Sequence, residues 1–146
     1  MNRIPSPRRV RRPAPRTPAS PEPVPYAEHA RFRFALRRFL HFSEERAREA
    51  GLTPAQHQLL LAIRGSRRGW LSVGAAARAL LIQPHSAAGL VDRALRDALV
   101  RKEPDPADHR RVRVLLTPHG DTLIERLTLA HRAELRRLWR RVPRLR

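Results

Sequence analysis

Residues Leu71–Thr117 read LSVGAAARALLIQPHSAAGLVDRALRDALVRKEPDPADHRRVRVLLT. Two short apolar-periodic runs meet at the break Ile82-Gln83-Pro84. Behind them, two runs able to alternate like strands are joined by a charged tip, Asp105-Pro106-Ala107-Asp108-His109-Arg110. A helix, a turn, a second helix and a basic hairpin is the build of a winged helix-turn-helix, a reader of duplex DNA. The expected fold is mainly α with a small β-hairpin wing. A winged helix-turn-helix core at about 52–117 is flanked by N- and C-terminal dimerisation helices at about 26–50 and 118–142.

Within the stretch, Ser72 is placed to cap an alanine-rich helix from Val73 to Leu81, whose small side chains permit close helix approach. The second helix starts at Pro84, with Ala87, Leu90, Val91, Ala94 and Leu95 as its inward stripe. Gln83, His85, Ser86, Gly89, Asp92, Arg93 and Arg96 are left outward. Gln, His and Ser near a helix N-terminus suit base edges and phosphates in a major groove. Polar outward faces are ordinary, so the place of this one after a tight turn is what raises the signal. Leu99–Glu103 and Arg111–Leu116 have strand composition, and in the second Val112, Val114 and Leu116 alternate with Arg111, Arg113 and Leu115. At the tip, His109, Arg110 and Arg111 suit phosphate or minor-groove contact, while Asp105 and Asp108 shape the turn and pair with an arginine.

Upstream, Thr53-Pro54-Ala55-Gln56 is a compact helix start, with Thr53 as N-cap, Pro54 at the first helical position and Gln56 completing a capping box. Leu59, Leu60, Ala62 and Ile63 give that helix its buried side, and Ser66-Arg67-Arg68-Gly69 is a loop. Between Tyr26 and about Ala50, Phe32, Ala35, Leu36, Phe39, Leu40, Ala47 and Ala50 recur at helical steps. Phe34 and Phe42 lie off that stripe, which suggests a second apolar face for a helix of another subunit. Residues 1–25 hold eight of the fourteen prolines and six arginines. They bury too little to offset chain entropy and are expected to be a disordered tail, read either as a basic arm attracting phosphate or as an idle one.

Downstream, Thr117-Pro118 repeats the Thr53-Pro54 signal, with Asp121 in the first turn where the helix dipole favours it. Ile124, Leu127, Leu135, Leu138 and Val142 form a long stripe with His131 at one of its steps, and Pro143 ends it. Two long helices around one small core predict a homodimer.

Composition sets the outer limits. Thirty-one basic residues against 13 acidic ones give a formal charge of +18, a field that collects polyanions. Lys102 is the only lysine. With no cysteine, disulfides and thiolate zinc sites are excluded. No apolar run approaches a membrane span, and Pro5, Pro7 and Pro13 interrupt the apolar core a signal peptide needs. A cytoplasmic, nucleoid-associated protein is expected.

Several segments carry a family likeness: Leu-Thr-Pro-Ala-Gln at 52–56, Ser-Val-Gly at 72–74, Gly-Leu-Val-Asp-Arg at 89–93, Leu-Val-Arg at 99–101, and above all Asp-Pro-Ala-Asp-His-Arg-Arg-Val-Arg-Val-Leu-Leu-Thr-Pro-His-Gly at 105–120. Over roughly residues 30 to 140 the chain resembles the MarR family of transcriptional regulators. The resemblance implies a homodimeric winged-helix protein that binds a palindromic operator, often released by a small aromatic or phenolic effector beside the dimer interface. It implies Pro84–Ala98 as recognition helix, Asp108 as wing-stabilising carboxylate and Arg110 as the wing arginine entering the minor groove. Ala98 departs from the family's usual glycine, so a left-handed conformation there would cost about 1 kcal/mol. Ala94 and Gly89 stand where larger residues are usual, and Gly89 weakens the helix by about 1 kcal/mol relative to alanine.

The DNA-binding candidates are Gln83, His85, Ser86 and Arg93 for reading and orienting, Arg110 for the minor groove, and Arg67, Arg68, Arg78 and Arg111 for phosphates. The histidines lack the spacing and acidic partners of a metal site, so no metal and no cofactor are expected. Most are surface or core residues, with His131 kept as a candidate effector contact. Asp105 and Asp108 are a close acid pair on a hairpin with no nucleophile, so no enzyme is expected. Two alternatives stay open: a basic architectural protein coating nucleic acid without sequence preference, and a DNA-independent interaction module on the same fold.

Overall fold

The computed structural model describes residues 26–140. In chain order these form α1 (Tyr26–Glu49), α2 (Pro54–Gly65), β1 (Trp70–Leu71), α3 (Val73–Leu80), α4 (Pro84–Arg96), β2 (Val100–Asp105), β3 (Asp108–Leu116) and α5 (Pro118–Trp139). The tail at 1–25 and the expected helix end at Val142 and Pro143 lie outside the described residues.

Three hydroxyl side chains start three of these helices as their sequence suggests. The Thr53, Ser72 and Thr117 Oγ atoms accept from the backbone N–H groups of Gln56, Ala75 and Gly120. At α2 the capping box is complete, because Gln56 Oε1 also accepts from Thr53 N at 2.9 Å.

Three helix ends share one geometry. After α1, Gly51 has φ 78°, with Leu52 N–H donating to Ala47 O and Gly51 N–H to Arg48 O. After α3, Leu81 (φ 55°) gives the same pair of bonds to Arg78 O and, through Ile82, to Ala77 O. After α4, Ala98 (φ 53°) does so to Leu95 O and, through Leu99, to Ala94 O. Each is a Schellman end, yet only the first has glycine at the left-handed position. Two expected boundaries therefore move. The third helix stops before Leu81, and the recognition helix stops at Arg96 instead of reaching Ala98.

The sheet is antiparallel in the order β1-β3-β2, with Trp70 opposite Leu115 and Val100 opposite Leu116. Both wing strands run further into the charged tip than their composition suggests, leaving Pro106 and Ala107 as the turn. Asp105 explains this, because its Oδ1 accepts from Ala107 N at 2.9 Å and closes the turn tightly. Pro104 is tolerated because β2 is an edge strand.

Leu59, Leu60 and Ile63 of α2 meet Leu90, Val91 and Ala94 of α4, with Val100, Val114, Ile124 and Leu127 closing the core. Gly120 of α5 sits so near the junction that a Cβ there would lie 2.1 Å from Leu99 O. Two expectations about apolar faces are corrected. Leu95 is 41% exposed, because it lies in the last turn of α4, past the end of the buried stripe at Ala94. Phe42 faces His131 of its own chain at 5.4 Å between ring centroids, and Phe34 alone of the off-stripe pair is exposed.

Candidate nucleic-acid interface

Helix α4 begins at Pro84, whose missing N–H is harmless in a first turn. Gln83 at its N-cap makes no side-chain capping bond. Gln83, His85 and Ser86 are all exposed at this end, and Arg93 is exposed two turns on. Arg93 passes over Gly89, where a Cβ would make an ordinary contact of 3.5 Å with Arg93 Nη1. Gly74 stands in the same relation to Arg78 on α3, at 3.8 Å. In each helix the arginine one turn later folds back along the surface over the glycine. Asp92, an acid on the outward face, is held by Lys102 Nζ at 2.7 Å. That bond keeps its carboxyl below the usual carboxylate range and offsets its charge.

The four arginines expected to hold phosphates come together. Arg67, Arg68, Arg78 and Arg111 line one open groove of about 670 Å³, between the loop before β1, the start of α3 and strand β3. Trp70, Ser72 and Val112 complete its wall. Local structure puts them there: the loop after α2 delivers the first pair, α3 the third, and the β1–β3 pairing brings the wing alongside. Val73 and Ala75, at the start of α3, also line this groove.

The wing aspartates shape the turn and pair with arginines, as their place in the sequence suggests, with Arg113 as the buried partner. Asp105 is 5% exposed, and its Oδ1 accepts from Arg113 Nη2 at 2.7 Å and from Ala107 N. These bonds, the arginine's first, hold its carboxyl below the usual range. Arg113 in turn lies over Trp70, its Cζ 4.6 Å from the ring centroid, and Arg68 approaches the same ring at 5.5 Å. A chain of contacts thus runs from the groove wall through Arg113 to the hairpin turn. Asp108 is more open; its Oδ1 accepts from Arg110 N at 3.1 Å and Arg110 Nε at 3.3 Å, and its Oδ2 lies 3.6 Å from Arg111 Nε. Arg110 itself projects, with 93% of its side chain exposed. Of the two aspartates, Asp105 is the buried one; no spacing rule in the sequence separates them.

His131 lies away from this face. It is 4% exposed, edge-on to Phe39 and Phe42 of α1 and 5.1 Å from the ring of His57. Its Nδ1 lies 2.5 Å from Leu127 O; since a carbonyl only accepts, Nδ1 carries the proton. Its Nε2 is buried with no partner among the described residues. His57 is 3% exposed, and burial first, then His131, lowers its pKa from 6.5 to about 4. Both rings are buried and join α2 to α5 beneath α1. Among the described residues no group of three or more His, Asp or Glu side chains is arranged to hold a metal ion.

The MarR family profile matches residues 50–111, which span the helix-turn-helix and most of the wing. No curated protein sequence matches the chain. Among solved structures, it is similar to AbsC, a MarR family transcriptional regulator from Streptomyces coelicolor. The identity is 22% and the TM-score 0.66, over 82% of this chain and 79% of that one. Bordetella bronchiseptica BpsR is 26% identical at a TM-score of 0.59, over 86% of this chain and 84% of that one. Wild-type MarR from E. coli is 20% identical at 0.65, over 84% and 89%. The winged core of this chain thus matches the MarR family profile, and its fold is similar to that of solved MarR family transcriptional regulators.

Proposed function

We propose that the chain is a homodimeric, sequence-specific DNA-binding regulator that acts as a repressor at a palindromic operator, with no catalytic role. The observation that carries this reading is the joining of one basic groove to an exposed polar helix end and a projecting arginine. Arg67, Arg68, Arg78 and Arg111 line the groove, and Gln83, His85, Ser86 and Arg110 are exposed. Phosphate contacts to the first set would fix register, and base contacts from the second would specify. Each recognition helix would enter a major groove, with half-sites about 10 bp apart and Arg110 in the adjacent minor groove. A mutant of Staphylococcus aureus MepR, a protein of the same fold, has been solved bound to an oligodeoxyribonucleotide.

Dimerisation through α1 and α5 is supported by what they leave uncovered: Tyr26, Phe34, Leu129 and Trp139 are 75%, 53%, 61% and 71% exposed. In this reading 26–146 is one regulatory domain and 1–25 a basic arm. No helix among the described residues is long and apolar enough to cross a membrane, in keeping with action on chromosomal DNA in the cytoplasm. BpsR has its DNA binding regulated by 6-hydroxynicotinic acid. We extend control by a small aromatic or phenolic effector to this chain, with His131 as the candidate contact; such a ligand would have to open the Phe39–Phe42 cover.

The deciding experiment enriches genomic fragments on the purified protein and footprints the bound sites. A shared palindrome with half-sites one helical turn apart is expected. Enrichment without sequence preference would favour an architectural role, and no enrichment would favour an interaction module.

A further inference from the structure

The two ends of α4 are held very differently. At its N-terminus, Gln83 makes no side-chain cap, and 83–86 are exposed. Three sets of bonds meet at its C-terminus. The left-handed Ala98 lets Leu99 N–H and Ala98 N–H close on Ala94 O and Leu95 O. Thr117, the N-cap of α5, donates its Oγ1–H to Ala98 O at 2.6 Å and its N–H to Leu99 O at 3.1 Å. Gln56, from the first turn of α2, donates Nε2–H to Asp97 Oδ2 at 2.6 Å.

The last bond spans 41 residues and uses an amide already committed at its other end, since Gln56 Oε1 accepts from Thr53 N. Gln56 is 4% exposed, so water is poorly placed to substitute for the carboxylate. The bond is short and charge-assisted, the strong class of side-chain hydrogen bond. Because the N-cap of α2 follows directly on the Gly51 end of α1, the clamp joins α1, α2 and α5 at one point on the recognition helix.

We propose that Gln56 and Asp97 are positioning residues that set the angle at which α4 presents its N-terminal side chains to DNA. The proposal rests on the DNA-binding reading above. At about 1.5 Å per residue, the 13 residues of α4 span roughly 20 Å. A tilt of about 3° at the clamped end moves His85 and Ser86 by ~1 Å, a large part of the tolerance of a hydrogen bond to a base edge.

Gln56→Glu tests this selectively. Glutamate serves a capping box as well as glutamine, yet it sets one carboxylate against another where the bond had been. The double variant Q56E/D97N exchanges donor and acceptor and restores it. Affinities for the selected operator and for a scrambled duplex are measured at a temperature where circular dichroism shows all proteins folded. Q56E is expected to bind the operator roughly tenfold more weakly with scrambled-duplex affinity unchanged, and the double variant to recover the operator affinity. A purely structural role would lower the unfolding temperature and, with every variant folded, leave both affinities unchanged. Should Q56E not fold, Asp97→Ala, which removes the acceptor without adding a buried charge, carries the same expectation. Operator binding by Q56E equal to that of the wild type, or a double variant no better than the single, overturns the proposal. A wild-type protein that prefers no sequence would instead overturn the regulator reading.

Discussion

In the wing, shape depends on charged side chains: Asp105 grips Arg113, Arg113 lies over Trp70, and Asp108 braces Arg110. In α4 it depends on packing and backbone: Ala87, Leu90, Val91 and Ala94 are buried, and the helix closes through a Schellman end. A single charge reversal would therefore disturb the wing, whereas added or lost volume would disturb the helix. Contact strategy divides along the same line. The wing offers guanidinium groups that attract any phosphate, while α4 offers short polar groups suited to particular base edges.

The largest expected effect tests the packing half. Gly120→Ala puts a Cβ 2.1 Å from Leu99 O, in backbone that cannot yield cheaply. It should cost about 3 kcal/mol of stability, read by denaturant unfolding. A loss below about 1 kcal/mol would mean that the α4–α5 junction yields more readily than this close approach implies.

Acid separates the regions next. The folded pKa of His57 lies below its unfolded value of 6.5, so its contribution to stability is present above pH 6.5 and declines as pH falls toward about 4. At ~1.4 kcal/mol per unit this amounts to on the order of 3 kcal/mol. Asp105 is likewise lowered from 3.8, so its contribution is present above that value and lost only in stronger acid. Stability curves from pH 7 to 3 should bend first between 6.5 and 4, and His57→Gln should flatten that first bend. An unchanged bend would assign it elsewhere.

Arg110→Ala should weaken operator binding by about 1–2 kcal/mol while leaving the thermal midpoint unmoved, because the side chain projects into solvent. Unchanged operator affinity would remove Arg110 from the interface. The smallest effect is a gain: Ala98→Gly relieves a left-handed alanine at φ 53° and should stabilise by about 0.5–1 kcal/mol.

Much of this contrast is legible in the amino-acid sequence. Thr53, Ser72 and Thr117 announce three helix starts because a cap is a local pattern, and the α4 stripe is visible as far as Ala94. The charged tip marks the hairpin, although composition alone stops the strands short of Asp105 and Asp108. Other features depend on partners distant in sequence. Nothing local tells Asp105 from Asp108, since burial of the first comes from Arg113 across the hairpin. The bond from Gln56 to Asp97 is invisible at 41 residues' separation, and Trp70 sits in a two-residue strand too short for any periodicity. The end of α3 misleads for another reason: Leu81 takes a conformation that favours glycine, which the apolar run Leu80-Leu81-Ile82 conceals. Residue type announces the site better, since the four arginines expected to hold phosphates line one groove.

Whether this basic surface reads sequence as well as charge is decided by one ratio. It compares affinities for the footprinted palindrome and for a scrambled duplex of equal length, taken across a salt series. A ratio of roughly 10³ or more is expected near physiological salt, with both affinities falling as salt rises. Equal affinities for the two duplexes at every salt concentration would contradict sequence reading by α4.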